Sequence, residues 1–256
     1  MKIISYAKVN IFLKIVGTRN NYHELISRFV IVKNLFDTIE FKKKESNNKT
    51  FNLVGNFSCQ TKSNTIYKAY KALLNYTKEN RIEEFFETHD VVVNKHIPEF
   101  AGLGGGSSNA ASFLLLTNKV LSLGLDKETL SSIGSSIGAD VSFFIYETNS
   151  ANVSGIGEIV EEFKEESIDI ETFTPKIACD TTKVYQQFRK EYLSQIEPKL
   201  AEELLPLSSR DILANYDSIT LNDLFAPSLD LEPKLKEYQK DGWFFSGSGS
   251  SFFRIR

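Results

Sequence analysis

Residues 98–112 read PEFAGLGGGSSNAAS, and the fold turns on what this stretch is. A Gly/Ser linker has polar flanks and does not run into a helix. This one follows a β-branched run at residues 91–93 and leads into the apolar SSNAASFLLLTNKVLSLG. Strand, glycine loop and helix in that order point to a phosphate-binding loop. Gly102, Gly104, Gly105 and Gly106 allow a positive φ and leave no Cβ in the way of a close ligand. A helix opening at Ser107 or Ser108 presents free N–H groups and its positive end to an anion. Serine hydroxyls in that turn can donate to phosphate oxygens or face Mg2+. The loop is not a Walker A motif, because no Gly-Lys-Ser/Thr follows. It is not G-x-G-x-x-G either, because Ser107 stands where the last glycine belongs. A different phosphate loop is required.

Working outward, residues 7–16 alternate, with Val9, Ile11, Leu13 and Ile15 on one side and Lys8, Asn10, Phe12 and Lys14 on the other. That period of two predicts a strand and puts Lys8 and Asn10 side by side on one face. GTRNNYHEL reads as a turn-rich connection, ISRFVIVKNLFDTIEFKKK as further strand, and ESNNK as an exposed turn. Asn64 reads as the N-cap of a helix in which Ile66, Ala69, Tyr70, Leu73, Leu74 and Thr77 fall at helical spacing. The helix after the loop is expected to be capped at Gly124. Asp126 opens another helix that stops near Gly138, and ADVSFFIY then predicts a strand with Asp140 at its mouth. Past about residue 149 the character changes. GIGEIVEEFKEES is acidic, PKIACDTTKVYQQFRKEYL suggests strand, loop and helix, and GWFFSGSGSSFFRIR two short aromatic strands around a second glycine–serine turn. That turn is expected to support the first. The domains are accordingly drawn as 1–150 and 151–256.

The chain has 256 residues, 41% of them hydrophobic and 25% charged, which suits a soluble globular protein with a sizeable core. A net charge of −3 gives no basic field for nucleic acid, so phosphate recognition has to be local. Cys59 and Cys179 cannot make a disulfide framework and lack metal-ligand spacing, so both are expected as buried or semi-buried thiols. Lys8, Asn10 and Lys14 interrupt the N-terminal apolar stretch, and no 18-residue apolar run follows. The chain therefore reads as cytoplasmic, with no membrane, nucleic-acid or obligate protein partner.

GLGGGSSNAA resembles the central P-x-x-x-G-L-G-S/G-S-S motif of the GHMP kinase superfamily. AKVNIFLKIVGTRNNYHEL, IGADVSFFI and SGSGSSFF are similar, in the right order and over nearly the whole chain, to segments of the GHMP kinases that act on a cytidine diphosphate-linked methylerythritol. The resemblance implies an α+β, two-domain GHMP kinase fold: an N-terminal ribosomal-protein-like α/β domain, a ferredoxin-like C-terminal domain and an active site in the cleft. It implies ATP as phosphoryl donor, Mg2+, and phosphorylation of the acceptor's 2-hydroxyl. The alternatives are another small alcohol as acceptor, or a catalytically silent nucleotide sensor.

By the same resemblance Asp140 is the catalytic carboxylate and Lys8 its neighbour. ATP lies on Pro98, Glu99, Phe100, Ala101, Gly102, Leu103, Gly104, Gly105, Gly106, Ser107 and Ser108, with Asn64 and Lys95 on the adenine side. Asn10, Tyr22, His23, Thr181 and Tyr185 meet the acceptor, Tyr22 and Tyr185 by stacking on its base and His23 at the base edge. The ligands of Mg2+ are not legible. The chain departs from the family pattern at Asn20 and Asn21, at Phe100 and Ala101 where small residues are usual, and at Ser142 in place of proline. His89 and His96 read as structural or exposed.

Overall fold

A computed structural model describes residues 1–45 and 47–256. In chain order the strands and helices begin with β1 (Lys2–Arg19), β2 (Tyr22–Lys43), β3 (Leu53–Val54), α1 (Thr65–Thr77), α2 (Asn80–Thr88) and β4 (His89–Asn94). They continue with α3 (Gly105–Val120), α4 (Lys127–Ser135), α5 (Val141–Tyr146), β5 (Ser150–Gly155), β6 (Ile159–Glu162) and β7 (Ile170–Phe173). The last are α6 (Thr181–Glu191), α7 (Pro198–Leu204), α8 (Ser209–Asn215), α9 (Ser218–Leu221), α10 (Phe225–Leu231), β8 (Phe244–Phe245) and β9 (Phe252–Ile255). The turn expected over residues 45–49 includes Ser46, which lies outside the described residues.

β1 forms as its alternation requires, but both faces are covered. Lys8, Asn10, Phe12 and Lys14 are at most 4% exposed, like Val9, Ile11 and Ile15 on the other side. β1 and β2 pair, and the connection between them is shorter than expected. It is the two residues Asn20 and Asn21, with Asn20 left-handed at φ 57°. Asparagine tolerates that conformation better than most side chains, which suits a tight hairpin.

The chain divides into two compact units, each built from several segments. The first contains Met1–Ala7, Leu35–Ile97 and Gly105–Glu147, and the second Lys8–Asn34, Pro98–Gly104 and Thr148–Arg256. In the first unit the later half of β2 runs antiparallel to β4, with Thr38 opposite Asn94 and Lys43 opposite His89, and β3 runs parallel to β4. α1, α3, α4 and α5 pack together. Phe41, Phe86 and Phe113 meet as an aromatic cluster, joined by Phe51 stacked on Tyr70. The helix α2 is an element the sequence reading passed over. It buries Ile82 and Phe86, one turn apart.

Two boundaries in this unit correct the sequence reading. ADVSFFIY is not a strand: residues 141–146 form α5, with Asp140 in the N-cap position. A short apolar run fits either a buried strand or a buried helix. Here a Cβ on Gly134 of α4 would meet Val141 at 2.6 Å and Ile145 at 3.9 Å, so the two side chains lie one helical turn apart on one face. α3 begins at Gly105, before Ser107, and closes through Ser122 rather than Gly124. Ser122 is left-handed (φ 50°), and Leu123 N–H donates to Asn118 C=O across it at 3.0 Å. Asp126 does cap α4, accepting from Thr129 N–H at 2.8 Å.

In the second unit the early half of β2 runs antiparallel to β5, with Leu25 opposite Gly155, and β5 pairs β6. β7, β9 and β8 form a separate antiparallel sheet in that order, so the two aromatic strands at the C-terminus are present as expected. Their core is Phe225, Phe245, Phe252, Leu235 and Cys179. The strand expected within PKIACDTTKVYQQFRKEYL does not form, and β7 ends just before that stretch, at Phe173. Pro175 has no N–H for a ladder, and the chain runs as a loop to Asp180, which caps α6 through Thr182 N–H at 2.9 Å. Cys179 is buried, but Cys59 is exposed, contrary to expectation. Among the described residues no helix is long and apolar enough to cross a membrane.

Candidate active site

Within the second unit, the first half of the glycine loop is held by backbone and by the C-terminal turn. Lys8 N–H donates to Leu103 C=O at 3.0 Å, Ser251 N–H to Ala101 C=O at 3.1 Å and Ser246 Oγ to Gly102 C=O at 3.0 Å. Gly102 has φ +73°, and a Cβ there would stand 2.0 Å from Ser246 O, so no side chain fits. The second glycine–serine turn does support the first, as expected. Asn222, a residue the sequence reading missed, fixes that turn in its own right. Its side-chain amide donates to Phe245 C=O at 2.9 Å and to Gly247 C=O at 3.0 Å. Phe100 is left-handed at φ 53° and 60% exposed. That conformation is costly for a bulky residue.

Lys8 and Asn10 share a face of β1, and Lys8 Nζ donates to Asn10 Oδ1 at 2.6 Å. The ammonium also lies 4.3 Å from the centre of the Phe29 ring. Asn10 Nδ2 donates to Ser27 Oγ at 3.0 Å, and Ser27 in turn to Phe12 C=O. Lys8 is therefore a buried, oriented cation rather than one on a solvated strand face. His23 is 8% exposed, tilted against Tyr185 at 5.2 Å and edge-on to Phe188 at 5.7 Å. Burial first, and the nearby Arg189 charge second, push its imidazole below the ordinary value of 6.5, so the ring is neutral at pH 7. Tyr22 beside it is 63% exposed. Thr181, at the start of α6, shares a 2.8 Å hydrogen bond with Ser248 of the supporting turn.

Within the first unit, the loop's second half opens α3. Thr65 Oγ1 donates to Gly106 C=O at 2.7 Å, which ties the start of α1 to the start of α3. Asn64 is a true N-cap, accepting from Ile66 N–H at 2.9 Å. Ser107 Oγ lies 3.5 Å from where a Cβ on Gly138 would stand, so the first turn of α3 faces the turn that carries Asp140. Asp140 is half-buried, and its carboxylate makes no capping bond to α5. Ser108 points inward instead, 2.7 Å from Ser5 Oγ.

Beneath this turn lies a network centred on Asp37, a fully buried residue the sequence reading missed. Its carboxylate accepts from Lys95 Nζ at 2.6 Å, His96 N–H at 2.6 Å, Ile97 N–H at 2.9 Å and Asn109 Nδ2 at 2.9 Å. Lys95, expected on the adenine side, is thus ion-paired inside the unit, where it joins the exit of β4 to α3. The available signal was an aspartate amid the apolar run NLFDTIEF. His89 stacks on Phe85 at 4.1 Å, in keeping with a structural role. Among the described residues no group of three or more His, Cys, Asp or Glu side chains could hold a metal ion.

A glycine loop that opens a helix, a buried lysine and a turn carrying a carboxylate are the residue types that phosphoryl transfer uses. Residues 64–148 match the family described as GHMP kinases N terminal domain. A mevalonate kinase shares the fold, with a TM-score of 0.66 at 14% identity over 100% of this chain and 91% of that one. The chain is a GHMP kinase with the α+β fold of that superfamily. It is 52% identical over 255 residues to the 4-diphosphocytidyl-2-C-methyl-D-erythritol kinase of Sulfurimonas denitrificans, covering 98% of this chain and 96% of that one. The Helicobacter pylori protein of the same name is 40% identical, over 98% of this chain and 95% of that one. A crystal structure of 4-(cytidine 5'-diphospho)-2C-methyl-D-erythritol kinase matches with a TM-score of 0.75 at 28% identity, over 100% of this chain and 90% of that one. The chain belongs to the 4-diphosphocytidyl-2-C-methyl-D-erythritol kinase family.

Proposed function

We propose that the chain transfers the γ-phosphoryl group of ATP to the 2-hydroxyl of 4-diphosphocytidyl-2-C-methyl-D-erythritol, giving the 2-phosphate and ADP, a step of isoprenoid biosynthesis. The observation that carries this reading is the 52% identity to a kinase of that name over nearly the full length of both chains. The N-terminal ATP-binding domain is drawn as 1–150 and the C-terminal domain as 151–256. In support, the chain returns to the second unit for good at Thr148.

The roles follow from the chemistry. The triphosphate rests on residues 98–108, where the backbone of the loop is rigidly held and α3 opens with Ser107 half-buried. Mg2+ would offset the charge on the phosphates, and Ser107 is the side chain suited to face it. Asn64 and Lys95 line the adenine side, Lys95 by shaping the loop through Asp37. As the acceptor oxygen bonds to the γ-phosphorus, the bond from that phosphorus to the bridging oxygen of ADP breaks. The hydroxyl proton passes to the Asp140 carboxylate. Lys8, fixed by Asn10, orients the hydroxyl and stabilises the negative charge. His23 and Tyr185 form the base pocket with Thr181 at its rim, and the exposed Tyr22 closes on the base as the second wall.

The test is ADP release from Mg-ATP with four acceptors in parallel: 4-diphosphocytidyl-2-C-methyl-D-erythritol, methylerythritol 4-phosphate, mevalonate and homoserine. Turnover confined to the first is expected, falling by about 10²–10⁴ in Asp140→Asn. Equal turnover with an acceptor that has no cytidine would sink the assignment.

A further inference from the structure

The mechanism above leaves the half-buried Arg189 unused, although one nitrogen of its guanidinium is buried. Among the described residues, the buried side-chain nitrogens and oxygens with no hydrogen-bond partner are His23 Nε2, Arg189 Nη2 and Ser142 Oγ. Two of these three belong to one place. α6 carries Tyr185 and Arg189 at i and i+4, hence on one face a turn apart. His23 packs on that face, against Tyr185 and against Phe188, the residue next to Arg189. The guanidinium charge acts on the His23 ring.

Buried polar atoms are almost always paired, because leaving one unpaired forfeits its hydration with no return. Two such atoms beside a stacking tyrosine are the mark of a site completed by a ligand. Arg189 Nη2 can only donate, whereas neutral His23 can donate from one ring nitrogen and accept at the other. Cytosine offers the complement along one edge: acceptors at O2 and N3, and a donor in the 4-amino group. Uracil keeps O2 but presents N3–H and an acceptor at position 4, which reverses the pattern there.

We propose that Arg189 is a specificity-determining residue that donates to N3 of cytosine while His23 accepts from the neighbouring 4-amino group, so that the two together select cytosine over uracil. This rests on the reading of the His23–Tyr185 pocket as the base site of a kinase acting on a cytidine diphosphate-linked acceptor.

The experiment measures binding of cytidine, uridine and cytidine diphosphate by calorimetry to the full chain and to Arg189→Leu and Arg189→Lys, with turnover measured separately. In Arg189→Leu cytidine and cytidine diphosphate weaken alike, by about 10–100-fold. Uridine changes by less than about threefold, so selectivity collapses; the limit follows from its lost match to the pair. Arg189→Lys keeps the charge but not the planar fork, and shifts in the same direction. KM for the full acceptor rises while kcat at saturation stays within about threefold, as removal of uniform binding requires. A loss confined to cytidine diphosphate would make Arg189 a phosphate contact and overturn the proposal. Equal losses for both bases, or none, would overturn it as well. Thermal melting checks both variants, and Arg189→Lys decides if the leucine variant does not fold. If the unaltered chain binds cytidine selectively but fails to phosphorylate the cytidylylated acceptor, the proposed reaction fails and the Arg189 assignment stands.

Discussion

Replacing Gly102 by alanine is the sharpest probe of how the loop is held. Two costs separate cleanly. The left-handed φ of +73° disfavours any residue with a Cβ, by about 1–2 kcal/mol. The new Cβ would also stand 2.0 Å from Ser246 O, against a backbone atom that cannot swing aside. Restoring an ordinary contact moves the two segments apart by roughly 1 Å or more, since carbon atoms rest at about 3.5–4.0 Å from their neighbours. That displacement breaks the Ser246-to-Gly102 and Ser251-to-Ala101 hydrogen bonds, each worth about 0.5–1.5 kcal/mol. The total is about 2–5 kcal/mol, a large share of the roughly 5–15 kcal/mol that keeps a domain folded. Gly124→Ala is the control, with nearly the same φ, +70°, and nothing within 4 Å of its Cβ. It isolates the conformational cost, about 1–2 kcal/mol. Urea unfolding of both variants gives the stabilities, and ADP release gives the activity. Gly102→Ala is expected to lose about 10²-fold or more in kcat/KM, because an ångström of misplacement costs that much. Equal stabilities for the two alanine variants, with unchanged kinetics, would refute the idea that the C-terminal turn sets the position of the loop.

Other outcomes follow from single features. Asp37→Ala strands the Lys95 ammonium, whose side chain is 9% exposed, and is expected to cost about 3–5 kcal/mol in urea unfolding, with part of the loss recovered in the Asp37→Leu/Lys95→Met double variant. His23 has a folded pKa below its unfolded value near 6.5. The unfolded chain therefore binds more protons between the two values. The contribution of His23 to stability is complete above the unfolded value and is lost as pH falls through the folded one. The urea midpoint of His23→Phe should accordingly fall less between pH 7.5 and 5.5 than that of the unaltered chain. Burial pushes the Cys179 thiol up to about 11, whereas Cys59 is exposed. Maleimide in native buffer should thus label Cys59 alone, with Cys179 reacting only in urea; mass spectrometry after digestion reads the sites.

Much of this protein could be read from neighbours in sequence. The alternation of residues 7–16, the helical spacing after Asn64 and the passage from a β-branched run through glycines into α3 are local patterns, set by backbone geometry and side-chain period. They located the loop, put Lys8 beside Asn10 and picked out the turn that holds Asp140. The same locality explains the errors. Nothing within ADVSFFIY chooses between strand and helix; the choice falls to Gly134, which admits Val141 and Ile145 only at helical spacing. Gly124 has the residue type of a cap, yet Ser122 takes the position, because the Schellman bonds form where the helix runs out.

What tertiary structure alone decided lies in contacts between residues far apart in the chain. Asp37 reads as one polar residue in a strand until Lys95, Asn109 and two backbone amides converge on it. Ser246 meets Gly102 across 144 positions, and His23 meets Tyr185 and Phe188 only through folding of the second unit. Arg189 gave no signal, because a charged residue on an amphipathic helix is ordinarily solvated. Its buried, unpaired nitrogen exists only once the fold has taken water away from it. Sequence period sets which elements form and which way they face, whereas desolvation and pairing across long loops set what each polar group must do.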